Sequence, residues 1–174
     1  FLGWKLWNSV MGPVEFNKIK EARYVKVIQN LKDIQAAELA HKEITGSFTG
    51  DWDSLINFID TAKFAITQRR DTSYADVAKN KAFGISEGYF IEESLIDTLG
   101  FTPVKDSLYG STNRYKTMMN VPVEGVDAKF DLKAGKITKN DATYSVFEAK
   151  VSKKVVLGDL DKDLLAQENA GTIC

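Results

Sequence analysis

PVEFNKIKEARYVKVIQNLKDIQAAELAHKEIT, running from Pro13 to Thr45, is the stretch that decides the fold. Ile19, Tyr24, Val27, Ile28, Leu31, Ile34 and Leu39 recur in it at steps of three, four and five. Lys18, Lys20, Glu21, Lys26, Lys32 and Glu43 fill much of the remainder. That spacing predicts one amphipathic helix. Pro13 suits a first helical turn, where its missing N–H costs nothing. No Gly or Pro follows until Gly46, which suits the residue just past a helix end. At 1.5 Å per residue the helix is roughly 48 Å long. A compact domain of this size is roughly 40 Å across. The helix is therefore expected to project and to need either a membrane or other subunits.

Upstream lies FLGWKLWNSVMG, apolar and aromatic, interrupted by Lys5 and Asn8. Gly12-Pro13 is expected to kink or restart the helix, because proline lacks an N–H and crowds the preceding turn. The stretch is shorter than the roughly 20 apolar residues of a membrane span. Two readings fit it. In one it is the end of a longer apolar helix, with Trp4, Lys5 and Trp7 at the membrane–water boundary. In the other it is a sticky helix that buries itself against neighbouring copies. The residues assigned to this contact are Phe1, Leu2, Trp4, Leu6, Trp7, Val10 and Met11. At about 1.5–3 kcal/mol per large apolar side chain, their burial amounts to of order 10 kcal/mol before entropy.

Downstream the periodicity changes. Asp51 is an N-cap for a short helix carrying Trp52, Leu55, Ile56 and Ile59. Lys63–Arg70 and Tyr89–Leu99 read as strands, with a short helix over Ser73–Phe83 ended by Gly84. Pro103 to Gly110 reads as a turn region and Tyr115–Val121 as a strand. Ala128–Leu132 and Lys136–Thr138 suggest a hairpin around Ala134-Gly135. Thr143–Val151 is the clearest strand, with Lys154–Leu157 following it. A short helix is expected within Asp161–Glu168, and Asn169–Cys174 is expected to be exposed. Helices first and strands later predict an α+β fold, a long N-terminal helix packed on an antiparallel sheet. The organisation expected is an apolar N-terminal segment, 1–14, and a single globular domain, 15–174, that includes the long helix to about residue 45.

Composition narrows the function classes. The 174 residues are 44% hydrophobic and 27% charged, which fits one folded domain. Lys+Arg 23 against Asp+Glu 24 gives a net charge of -1, without the basic footprint of a nucleic-acid binder. One Cys and one His rule out an intrachain disulfide and a Cys/His zinc cluster. His41 is read as a surface or packing residue, and terminal Cys174 as a poor nucleophile. Asp159, Asp161 and Asp163 mimic half of a calcium loop, but Leu164 and Ala170 stand where that loop needs Gly and a carboxylate. Glu92 and Glu93 are adjacent in a strand, so they point to opposite faces and form no acid/base pair. Arg69 and Arg70 beside Asp71 read as a solvated strand end, and Met118-Met119 as core packing. No phosphate-binding glycine loop is present. The expectation is a protein that is not an enzyme, with no cofactor, no metal and no small-molecule substrate.

ARYVKVIQNLKDIQAAELAHKEITGSFTGDWDSLINFI, Ala22–Ile59, with Gly46-Ser47-Phe48-Thr49-Gly50 closing the helix and Leu55 after it, resembles the type IV pilin and type II secretion pseudopilin family. The Gly12-Pro13 break is similar to the helix-weakening position of assembled pilins. Most of the chain also resembles an envelope protein group from Bacteroidota that has an N-terminal membrane helix and no assigned activity. Lys5 departs from the pilin pattern, which places there a glutamate that neutralises a neighbouring subunit's terminal amine. The first resemblance implies a structural subunit of a cell-surface, pilus-like filament, extracellular and polymerised with copies of itself. The second implies an accessory or binding protein of the cell envelope, anchored on the outer side of the inner membrane. In a filament subunit the long helix should carry a second apolar face, for which Ile19, Ala22, Ile44, Ala36, Ala37 and Ala40 are candidates.

Overall fold

The computed structural model describes residues 2–86, 88–160, 162–168 and 171–174, with side chains from residue 11 onward except 167. It is α+β, with a long N-terminal helix and antiparallel sheets. Its contacts divide it into two compact units, one of the chain up to Ala62 with Val104–Cys174, the other Lys63–Pro103.

Helix α1 spans Leu2–Thr45, 44 residues, or about 66 Å. It runs on through Pro13, where the sequence predicts a kink or a restart. Proline's fixed φ is itself helical, so the cost is one backbone hydrogen bond and local crowding. The helix ends as Gly46 predicts. Gly46 sits at φ +84°, and its N–H donates to the Lys42 carbonyl at 2.8 Å, an αL cap. Helix α2, Trp52–Thr61, starts at Asp51, whose carboxylate accepts the Ser54 N–H at 2.8 Å. It buries Leu55, Phe58 and Ile59.

Three elements make up the second unit. Strand β1, Lys63–Ala75, pairs antiparallel with β2, Phe90–Pro103, and helix α3, Val77–Ala82, lies between them in sequence. The register runs from Lys63↔Pro103 to Ala75↔Phe90, with one irregularity between Ile66 and Thr67. Asn80 closes the connection. It is buried, its Nδ2 donates to the Tyr89 carbonyl at 3.1 Å, and its Oδ1 accepts the Tyr89 N–H at 2.8 Å. The helix predicted over Ser73–Phe83 is shorter than that range, because the ladder extends to Ala75 and Asp76 caps α3 by accepting the Lys79 N–H.

The first unit resumes with helix α4, Val104–Tyr109. The sequence predicts a turn region here. Pro103 ends the ladder, Val104 N–H donates to the Ala62 carbonyl at 3.0 Å, and Gly110 at φ +59° terminates the helix. The strand predicted for Tyr115–Val121 is instead a 3₁₀ turn at Arg114–Lys116 followed by further turns, with one isolated bridge, Asn120↔Lys129. Its buried residues are Tyr115, Met118 and Val121, a spacing of three that suits turns and not the alternation of a strand.

Strands β3, Asp131–Lys139, β4, Ala142–Ser152, and β5, Thr172–Ile173, form an antiparallel sheet in that order. The predicted Ala134-Gly135 turn is mid-strand, opposite Phe147 and Val146. The turn is Asn140-Asp141, at φ 51° and 61°, the left-handed pair that matches the twist of a two-residue hairpin. Lys153–Leu157 is helix α5, not a strand. Ser152 caps it, and its Val156 and Leu157 are fully buried. Helix α6 is Lys162–Gln167. The last residues add a short strand to β4 through Val151↔Ile173, and Gly171, Thr172 and Cys174 are exposed as the sequence indicates.

Helix α1 packs on α2, α4 and β4. Trp52 Nε1 donates to the Phe130 carbonyl at 3.3 Å, and Tyr109 Oη donates to the Asp33 carbonyl at 2.8 Å. Arg23 clamps the C-terminal region, donating to the Val156 carbonyl at 2.8 Å and to Asp159 Oδ2 at 2.7 Å.

Candidate assembly interface

Helix α1 has an inner and an outer side. At 100° per residue, Phe16, Val27, Ile34, Ala37 and Glu38 fall within an arc of about 100°, and all five are buried. Met11, Val14, Val25, Ile28 and Leu39 fall on the opposite arc, of similar width. All five are exposed, Val14 by 59%, Val25 by 69% and Leu39 by 51%. Lys18, Glu21, Lys32 and Glu43 share that outer arc and are exposed too. The outer face is thus an apolar band with two acids and two bases among its hydrophobic residues.

This corrects two expectations. Ile28 and Leu39 leave the core stripe on which their spacing placed them. Steps of three, four and five drift around the helix over some 20 residues, so a stripe drawn from spacing alone crosses to the far side. Ala37 and Ala40, candidates for the second face, are instead buried within the fold. Their small size lets α1 approach its own neighbours closely. Ile19 and Ala36 are half-buried, and Ala22 and Ile44 are exposed.

Beside the outer band is a groove of 390 Å³ between α1 and β4. Ile28, Leu31, Phe147 and Ala149 line it, with Lys32, Gln35 and Glu148 and the exposed Cys174. Ile28 belongs to both surfaces, so band and groove are continuous.

Of the contact residues expected at the N-terminus, Phe1 lies outside the described residues. Leu2, Trp4, Leu6, Trp7 and Val10 lie on the backbone of α1, with side chains outside the described set. Met11 is 40% exposed on the outer band. Among the described residues, no helix is long and apolar enough to cross a membrane.

The groups weighed for chemistry are placed as follows. His41 Nδ1 lies 2.6 Å from the Ser47 carbonyl oxygen, and its ring meets Phe58 edge-on at 4.8 Å. Asp159 is held by Arg23, which keeps its carboxyl below the usual range. Asp161 lies outside the described residues. Glu92 and Glu93 stand opposite Ser73 and Thr72 in the ladder. Arg69 pairs with Asp71 and Arg70 with Asp97, all on the exposed hairpin. Met118 is buried and Met119 half-buried. Among the described residues, no three His, Cys, Asp or Glu side chains gather to hold a metal ion.

Two buried carboxylates escaped the sequence reading. Asp33 is paired by Arg114 at 2.9 Å and accepts from Gln29 Nε2 at 3.2 Å. Glu38 is fully buried. Its Oε2 accepts the Thr49 N–H at 3.0 Å, and its Oε1 has no partner among the described residues. Burial raises its pKa to about 7 against the opposing pull of that one hydrogen bond. The spacing of Glu38 from Ile34, four residues back on the same face, was the available signal.

Comparison with family models, curated proteins and solved structures finds no match to this chain.

Proposed function

We propose that this chain is a structural subunit of a cell-surface, pilus-like filament, non-catalytic, and polymerised through α1 with copies of itself. The observation that carries the reading is the outer band of α1. A helix with an apolar arc buried in its own fold and a second arc exposed over about 40 Å, from Met11 to Leu39, suits packing on both sides. Covering Met11, Val14, Val25, Ile28 and Leu39 contributes about 1 kcal/mol or more each, against the rotational and translational cost of association. Lys18, Lys32, Glu21 and Glu43 provide both signs for pairing between neighbouring helices. Contacts that repeat head to tail without closing a ring produce a filament.

The grouping of Trp4, Lys5 and Trp7 favours a second reading, an envelope accessory protein held at a membrane by its N-terminal segment. Negative-stain electron microscopy of the full chain separates the two. Filaments that disappear in Val25→Lys/Leu39→Lys, with helicity retained, support the subunit reading. Dispersed particles that float with vesicles of phosphatidylethanolamine and phosphatidylglycerol refute it in favour of the second.

A further inference from the structure

The Lys63–Pro103 unit carries an assembly element of a different kind. Its sheet has two strands among the described residues, so β1 and β2 each present one edge of open N–H and C=O groups. A two-stranded ribbon alone is marginal in water. Native proteins blunt such edges with short strands, prolines and bulges. Here β1 is 13 residues long with no proline, β2 has proline only at its last position, and the one register irregularity, at Ile66/Thr67, precedes Arg69. Both faces of the ribbon expose large apolar side chains, with Tyr74 and Ile91 on one, and Phe90 and Ile96 on the other.

The edges differ in charge. Strand β1 carries Lys63, Arg69 and Arg70 against a single acid, Asp71. Strand β2 carries Glu92, Glu93 and Asp97 and no base. Glu92 and Glu93 have no cation partner among the described residues. We propose that the β1 edge of one copy receives the β2 edge of a second copy of this chain, extending the sheet from molecule to molecule.

Charge selects this mode. Joining two β1 edges sets Arg69 and Arg70 against their own kind, and joining two β2 edges does the same for the acids. Joining unlike edges matches them. The geometry agrees, because β1 and β2 are antiparallel within a copy. Strand β2 of an identically oriented second copy therefore runs antiparallel to β1 of the first. In the chain, Arg69 stands opposite Ile96. A shift of four residues from that register places Arg69 opposite Glu92 of the next copy, with Glu93 diagonal to Arg70. An even shift keeps every side chain on its face. The contact is heterologous, so it repeats from copy to copy and stays open wherever its rotation does not close a ring.

The test uses the full chain carrying Val25→Lys/Leu39→Lys, so that association through α1 does not contribute. Sedimentation velocity should show concentration-dependent association. Arg69→Glu/Arg70→Glu has two acidic edges, and Glu92→Lys/Glu93→Lys has two basic ones. Each alone should associate about tenfold or more weakly. Mixed in equal amounts they should recover to within about threefold of the parent, because each edge again meets its opposite. That recovery also shows that both variants keep the hairpin. A parent that stays monomeric, variants that associate as it does, or two variants folded by circular dichroism that do not recover on mixing would overturn the proposal. Loss of α1-mediated filaments would leave it standing.

Discussion

The N–H of Thr49 donates to Oε2 of Glu38 at 3.0 Å, tying the loop after α1 back to the buried face of the helix that precedes it. The carboxylate is fully buried, and among the described residues only one of its oxygens has a partner. The folded protein therefore holds Glu38 at a pKa of about 7, above its unfolded value of 4.5. Between those values the folded state binds the proton and the unfolded state does not. Stability thus falls as pH rises through this window and levels off above it.

Glu38→Gln keeps an acceptor for Thr49 and removes the charge. Urea unfolding should find it more stable than the parent by about 3 kcal/mol at pH 8 and nearly equal at pH 4.5. A parent whose stability is flat from pH 5 to pH 8 would show that Glu38 is not held neutral by the fold.

Arg114 is half-exposed, but the Asp33 carboxylate it pairs with is not. Arg114→Ala leaves that charge buried with Gln29 as its remaining side-chain partner. A loss of about 1–2 kcal/mol is expected, discounted for the solvent that reaches Arg114. Adding Asp33→Asn should restore at least half of the loss in a double-mutant cycle. Strict additivity would mean the two do not interact.

Asn80 stands in for a strand at the Tyr89 backbone, with one bond in each direction. Asn80→Ala leaves the Tyr89 N–H unpaired and its carbonyl with Asp76 alone, at about 1–3 kcal/mol. The effect should be local. Amide exchange should accelerate at Tyr89 and Asp76, whose N–H donates to the Tyr89 carbonyl, while amides of α2 keep their rates. Equal acceleration in both regions would show that the hairpin does not open separately.

Asn140 and Asp141 turn the β3–β4 hairpin with both residues at positive φ. Asp141→Gly removes the Cβ penalty and should stabilise by about 0.5 kcal/mol. Asp141→Val should cost 1 kcal/mol or more, because β-branched residues resist that conformation. Thermal melts that rank Val above Gly would contradict the turn.

What the sequence revealed depended on how local the signal was. Gly46 and Asp51 act within one helical turn, and both ends they mark fall where expected. The β-branched and aromatic runs mark β1, β2 and β4, and β1 starts at Lys63 as they indicate, whereas the far ends of β1 and β2 lie beyond them. Ala134-Gly135 misled because glycine outweighed Asn140-Asp141 as a turn signal, yet a glycine paired across a ladder needs no turn. Tyr115, Met118 and Val121 looked like a strand by composition and are buried at a turn's spacing. The outer band of α1 was the least legible feature. Whether Ile28 or Leu39 faces in or out depends on where α2, α4 and β4 pack, and no nearby residue records it.

The 44-residue helix also limits how this protein can change length. Each residue inserted into α1 turns everything on one side of it by 100°. One extra residue between Val27 and Ile34 would swing Phe16 out of the core and carry the outer band partly inward. Only changes close to whole turns, about seven, eleven or eighteen residues, return both sides to their places. Side chains along this helix can be exchanged one at a time, whereas its length is quantised by the pitch.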